Sequence, residues 1–342
     1  MTSLQLGLDT FGDITVDADG ERLTHAQSIR NIVEQAVLAD EVGVDFIGIG
    51  EHHRDDFAVS SPEMVLAAIA ARTSKIRLGS AVTVLSSDDP VRVFERFSIL
   101  DALSNGRAEV ILGRGSFTES FPLFGFDLAD YNQLFEEKIE LFAELLKEKP
   151  VTWSGQTRAA LTEQSVYPPS ESGSIPTWVG VGGSPESVVR AAHYGLPLML
   201  AIIGGDPLRF LPYVDLYKRA LAQFERAELP VAAHSPGHIA ATDEQARDEL
   251  WPHFRASHER IGKERGWPPM GREEFDREVA DGAIYAGSPE TVAARIVRTA
   301  QGLGLSRFDL KYATGTMPHE QLMSSIGLYG REVAPLVREQ LA

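Results

Sequence analysis

The residues best equipped for chemistry stand together at Glu51-His52-His53. A carboxylate beside two imidazoles can move protons near neutral pH, can supply half of a metal site, or can simply be the polar exit of a strand. The apolar run 46–49 immediately precedes them and reads as a short buried strand. The trio therefore sits at a strand's C-terminal end, where the loops of parallel sheets converge and ligands bind. Neighbours in extended chain point to opposite faces, which weighs against His52 and His53 sharing a metal with Asp55 and Asp56.

Two glycine-rich stretches suit an anion. Leu112-Gly113-Arg114-Gly115-Ser116-Phe117 combines a permanently charged guanidinium with glycines that expose backbone N–H groups. Gly180-Val181-Gly182-Gly183-Ser184-Pro185 opens a helix whose N-terminal amides and dipole favour negative charge. Together they suggest one bound phosphate group. Neither is a Walker A sequence or a full G-x-G-x-x-G, and there is no G-x-S-x-G elbow. Gly79-Ser80-Ala81-Val82-Thr83-Val84-Leu85 is small and apolar, able to let a flat ring lie close to backbone or to pack inside a barrel. Asp309 and Lys311 alternate with Phe308, Leu310 and Tyr312, so both polar groups can face a barrel mouth. Lys311 can meet an anionic substrate there, but pairing with an internal carboxylate is the preferred reading.

Positioning these groups requires a repeated strand-helix unit. Strand patterns recur at 4–8, 46–49, 76–84, 108–112, 177–181, 198–203, 231–240 and 308–312, each followed by helical sequence. Helix starts are marked by Thr24 with Gln27 three residues on, and by Ser61-Pro62, Asp89-Pro90, Ser184-Pro185, Asp206-Pro207 and Ser288-Pro289, with Met317-Pro318 a weaker version. Eight right-handed β-α crossovers predict an α/β fold, a (β/α)8 TIM barrel forming a single domain over 1–342. A doubly wound open sheet is the rival. The barrel is preferred because the unusual loops are spread over many strand ends and no one Gly-rich turn dominates. Two insertions interrupt the repeat: 151–176 after strand 4, read as an extended excursion, and 242–285 after strand 7, read as charged and helical, a lid or an outer packing element.

Composition narrows the function. With 32 basic against 49 acidic residues in 342, the net charge of −17 repels nucleic acid and anionic membrane surfaces. No apolar run is long enough to span a bilayer and the N-terminus lacks a secretory pattern, so a soluble cytoplasmic protein is expected. The absence of cysteine excludes disulfides, thiolate metal sites and thiol catalysis. No metal is expected.

Five motifs in order, Glu51-His52-His53, Ile111-Leu112-Gly113-Arg114-Gly115-Ser116, Gly183-Ser184-Pro185-Glu186-Ser187, Gly195-Leu196-Pro197-Leu198 and Gly287-Ser288-Pro289-Glu290-Thr291-Val292, resemble the bacterial luciferase-like flavin monooxygenases along nearly the whole chain. The resemblance implies a (β/α)8 barrel, reduced FMN supplied by a separate reductase, oxygen activation at the flavin, a small-molecule substrate and commonly a homodimer. It further implies that His52 is the active-site imidazole near the flavin, shaped by Glu51 and His53. Ala81 and Val82 would form the close-approach pair beneath the ring, in relatives often joined by a non-proline cis peptide, with Thr83 beside them. Arg114, Gly115, Ser116, Gly183, Ser184 and Ser187 would hold the phosphate end, and Leu198 is carried over with its motif. One departure stands out: Asp130-Tyr131-Asn132 occupies the place where relatives often carry a further phosphate-binding Arg. His52, with an ordinary imidazole pKa, is expected to exchange a proton during oxygenation. Other readings are a hydride-transfer enzyme using the deazaflavin F420, from a branch of the same superfamily, and a non-catalytic flavin-binding protein.

Overall fold

A computed structural model describes residues 4–17, 19–115 and 117–342. Eight parallel strands run in sequence order: β1 (Gln5–Thr10), β2 (Phe46–Ile49), β3 (Arg77–Ser80), β4 (Ala108–Gly113), β5 (Thr177–Val181), β6 (Leu198–Ala201), β7 (Val231–Ile239) and β8 (Arg307–Lys311). Each pairs with the next, and β8 pairs back onto β1 with Leu8 opposite Leu310, so the sheet closes into a (β/α)8 barrel. The expected third strand is broken. It stops at Ser80, the Ala81–Val82 peptide is cis, and Thr83–Val84 pairs separately with β4.

The helices start largely where the capping sequences place them. Asp89 accepts from the Val91 and Arg92 amides, Ser184 from Ser187, Ser288 from Thr291 and Thr24 from Gln27. Each of these side chains satisfies an amide that has no partner within its helix. Ser61 makes no such bond, and Pro318 is itself the residue preceding its helix, His319–Leu328.

Alternation along each strand separates two interiors. Outward residues such as Leu6, Leu8, Ile47, Ile49, Leu198 and Leu200 join the helices in the main core. Inward residues Phe46, Ile111, Trp178, Met199 and Ala232 pack inside the barrel, with Ala81 and Val82 against them. Arg307 is fully buried there, its guanidinium 4.0 Å from the Phe46 ring centroid and 4.6 Å from that of Trp178. Glu109 bonds Arg307 and lies 3.3 Å from Arg77, while Asp309 lies 3.2 Å from Arg307. A buried cation of this kind is tolerated only with carboxylates around it.

Segment 151–176 carries a two-stranded antiparallel hairpin, Val151–Trp153 with Leu161–Gln164. Segment 242–285 carries the helices Asp243–Arg265, with Pro252 inside it, and Arg272–Ala280, ending in the short strand Tyr285–Gly287 that extends the sheet beside β7. No helix among the described residues is long and apolar enough to cross a membrane.

Candidate active site

At the C-terminal mouth of the barrel lies a cavity of about 490 Å³, lined from all eight strand ends and by the helix Asp243–Arg265. Glu51, His52, His53, Ala81, Val82, Arg114, Gly115, Ser187 and Lys311 all reach it.

Glu51 is buried where β2 ends and uses both carboxylate oxygens. Oε1 is 3.0 Å from His53 Nε2, and Oε2 accepts from the Val84 amide at 2.8 Å. One side chain thus fixes the second imidazole and the segment just past the cis peptide. Ala81 and Val82 form a half-buried shelf at the cavity wall. Close approach requires glycine on its neighbours: a Cβ on Gly48 would lie 2.8 Å from Ala81 Cβ, and one on Gly113 would lie 2.5 Å from Val82 Cγ2.

His52 sits among aromatic rings, stacked on Phe57 at 4.3 Å and edge-on to Phe11 at 5.1 Å and Phe117 at 5.2 Å. Burial lowers its pKa to about 3, and the charges of Lys311, Arg54, His53 and Arg265 act in the same direction. The nearest carboxylate, Glu119, is 4.0 Å from Nδ1. This corrects the expectation of an ordinary imidazole pKa: His52 is neutral throughout the neutral range, because low polarity and nearby cations disfavour its charged form.

The phosphate-type groups gather at one end. Arg114 donates to Asn132 Oδ1 at 3.2 Å and lies 5.3 Å from the centroid of Tyr131, whose hydroxyl donates to the Gly115 carbonyl at 3.0 Å. The residues that replace the expected Arg therefore hold Arg114. A second guanidinium that the sequence reading missed, Arg190, donates to Ser187 Oγ at 3.3 Å from within the helix Pro185–Tyr194 and also pairs with Glu136. The exposed Glu186 carboxyl is held below its usual range by the Ser184 hydroxyl and its own amide, with Arg114 and Arg190 adding to the effect.

Other expected residues stand aside from the cavity. Thr83 is buried, with its hydroxyl on Ser80 Oγ at 2.9 Å. Gly183 accepts from Tyr213 OH at 2.8 Å, and Ser184 caps its helix, so both shape the loop without lining the cavity. Leu198 is a correction: it points outward into the main core, and alternation brings Met199 and Ala201 to the cavity instead. Ser116 lies outside the described residues. Lys311 lines the cavity and pairs with Asp13 at 3.2 Å, the internal carboxylate partner favoured from sequence. Burial raises the Asp13 carboxyl, opposed by Lys311.

Asp309 lines the cavity, as its alternation with Phe308 and Leu310 predicts, together with Asp9 and His234, which the sequence reading did not single out. Their signal was present, since each occupies an inward position of its strand. Asp309 is pushed up to about 7 by burial, against the opposing charge of Arg307. No group of three or more His, Asp or Glu among the described residues is arranged to hold a metal ion.

The arrangement suits a flat cofactor with an anionic end: an apolar shelf at Ala81–Val82, glycine-walled strand ends, and Arg114 with Arg190 beside the amides of the helix Pro185–Tyr194. A family model described as luciferase-like monooxygenase matches residues 10–307. The 4-hydroxyprotoasukamycin monooxygenase of Streptomyces nodosus subsp. asukaensis is 29% identical over 327 residues, covering 89% of this chain and 85% of the relative. The chain spans about half, 52%, of the length of two uncharacterized Sinorhizobium fredii proteins that it matches at 30% and 31% identity. Among solved structures, monooxygenase RslO1 from Streptomyces bottropensis superposes with a TM-score of 0.83 at 23% identity, over 97% of this chain and 99% of that one. The oxygenating constituent of 3,6-diketocamphane monooxygenase from Pseudomonas putida, in complex with FMN, gives 0.76 at 20%, covering 97% and 98%. The F420-dependent tetrahydromethanopterin reductase of Methanopyrus kandleri gives 0.71 at 20%, covering 97% and 99%. These structural likenesses concern the fold.

Proposed function

The chain belongs to the luciferase-like monooxygenase family, and from that premise we propose that it is an FMN-dependent monooxygenase acting on a small organic substrate. The observation that carries this reading is the convergence in one cavity of Glu51-His52-His53, the Ala81–Val82 shelf and the Arg114–Ser187 end. Reduced FMN, when bound, supplies the electrons that activate O2, a chemistry that side chains alone do not offer.

The protein's part is to bind, orient and exclude water. Arg114, Arg190 and the amides around Gly183, Ser184 and Ser187 would hold the phosphate, Ala81 and Val82 would support the ring, and Thr83 would fix the shelf from behind through Ser80. His52, neutral and caged by rings, would offer a nitrogen as hydrogen-bond partner at the reacting face rather than a stored proton. Glu51 and His53 would position that loop. In this reading reduced FMN arrives from a separate reductase, the active unit is a homodimer, and the helix Asp243–Arg265 acts as a lid that limits water.

A second reading, F420-dependent hydride transfer, draws support from the fold shared with the Methanopyrus enzyme. Anaerobic equilibrium titration with reduced FMN and, separately, reduced F420 distinguishes the two. The proposal expects binding of reduced FMN that weakens in Arg114→Ala. Tight F420 binding with no measurable FMN binding would overturn it.

A further inference from the structure

The wall formed by β7, β1 and β8 contains a pair that the reading above does not use. His234 lines the cavity from an inward position of β7, and its Nδ1 is 2.6 Å from Asp9 Oδ2 on β1. Asp9 is almost fully buried, and its other oxygen, Oδ1, has no hydrogen-bond partner. A carboxylate accepts, so in the neutral ring the proton on Nδ1 faces Asp9 and Nε2 is the acceptor. Among the described residues Nε2 has no hydrogen-bond partner. The ring lies flat against Phe11, with centroids 5.8 Å apart and planes inclined by 17°, which fixes its orientation.

This is the arrangement that a proton acceptor requires: one nitrogen held by a carboxylate that stabilises the imidazolium once formed, the other open to a ligand. His52 lacks it, having rings on its faces and no carboxylate within hydrogen-bond distance. We propose that His234, oriented by Asp9, is the base that ionises the substrate, and that the substrate is a hydroxyarene or an equally acidic enol. This inference rests on the monooxygenase reading for what happens next.

The step is a proton transfer alone. The substrate O–H bond breaks, an N–H bond forms at Nε2, and the electron pair stays on the substrate oxygen, where it enriches the conjugated carbons that an electrophilic oxygen donor attacks. The surroundings fit a flat ring bearing a developing negative charge. Phe57, Phe117, Phe254 and Trp267 line the same cavity. Lys311 Nζ, on β8, lies 4.8 Å from the centroid of the Phe11 ring on which His234 stacks. The other charged or titratable groups around the pair are Asp13 on the loop after β1, His52 after β2, Arg307 and Asp309 on β8, and the buried phenols of Tyr312 and Tyr329. Asp309 is level with His234 in the strand register.

The test needs no flavin. The full chain is titrated with 4-nitrophenol, whose neutral and ionised forms differ in colour, and the bound dye's ionisation is followed against pH. The proposal expects the bound dye to ionise at least one pH unit below the free dye, a tenfold shift in its ionisation constant. His234→Gln should keep the affinity for the neutral dye, measured at acidic pH, within a few-fold and lose the shift, and Asp9→Asn should reduce it. Should His234→Gln fail to fold, 15N-histidine NMR of the unsubstituted protein gives the same answer, since the dye should drive protonation of the His234 Nε2. Absence of dye binding, a bound dye that stays neutral, or an unchanged shift in His234→Gln would each overturn the proposal. Failure of FMN to bind in a separate titration would remove the monooxygenase reading while leaving a shifted dye to stand for His234.

Discussion

Arg54 and Glu264 meet fork to fork, Nη1 2.7 Å and Nη2 2.6 Å from the two carboxylate oxygens, and so fasten the helix Asp243–Arg265 to the loop that leaves β2. Arg260 adds a second link, to Asp55 and, at 3.2 Å, to Asp56. The segment bearing His52 and the insertion over the cavity are therefore joined by ion pairs at its rim.

Glu264 is about half exposed, at 47%, so its pair with Arg54 contributes no more than about 1 kcal/mol to global stability. Its local effect should be larger. Glu264→Ala is expected to leave the denaturation midpoint nearly unchanged while hydrogen exchange in the last turns of the helix Asp243–Arg265 speeds up several-fold. High salt should reproduce the change in the unsubstituted protein. Unaltered exchange would mean that the apolar contacts, not the ion pairs, hold the helix down.

His52 makes stability depend on pH in one direction. Unfolded, it titrates near about 6.5; folded, it titrates at about 3. Between those values the unfolded chain carries a proton that the native chain does not, so stability falls as pH drops, by at most about 1.4 kcal/mol per pH unit. His52→Phe keeps a ring in the cage and removes the titration. Urea midpoints from neutral to mildly acidic pH should decline less steeply in the variant, and parallel curves would contradict the assignment.

Asp309 acts with the opposite sign. Its carboxyl is raised to about 7, first by burial, so the native state keeps a proton that the unfolded chain has lost. The resulting stability is fully present below the ordinary carboxylate pKa of about 3.9 and disappears as pH rises through the folded value. Asp309→Asn imitates the protonated group. The difference in melting temperature between the variant and the unsubstituted protein should grow in the variant's favour as pH rises across neutrality.

The Arg114 guanidinium is the cation that the proposed phosphate site depends on most. Losing a hydrogen bond to a charged group costs about 1.5–3 kcal/mol, so Arg114→Ala should weaken reduced FMN binding roughly 10- to 150-fold. Arg114→Lys should fall between, because an ammonium cannot reproduce the planar fork. Fluorescence titration under anaerobic conditions measures both. An unchanged affinity would move the phosphate elsewhere.

What the sequence made legible was mostly what lies close together in the chain. The barrel followed from strand-helix periodicity, and Glu51-His52-His53 from its place after an apolar run. The Lys311–Asp13 pair was foreseen in kind, though its carboxylate was not named. Groups brought together from far apart were not legible. Asp9 and His234 are 225 residues apart, and no local pattern announces their bond. The low pKa of His52 depends on Phe11, Phe57 and Phe117, which come from separate segments. Leu198 shows a different failure: a motif was carried over whole, whereas side-chain alternation would have pointed to Met199. The break in β3 shows in no pattern of that run of small apolar residues; the family resemblance alone pointed to the cis peptide found at Ala81–Val82.

The central claim is tested most directly by loading the protein with reduced FMN without oxygen, mixing it rapidly with oxygenated buffer, and following the flavin spectrum with time. The account predicts reoxidation that departs from that of free reduced FMN, with a fraction altered in proportion to the bound fraction and restored toward free behaviour in Arg114→Ala. A time course identical to free flavin at saturating protein would contradict it.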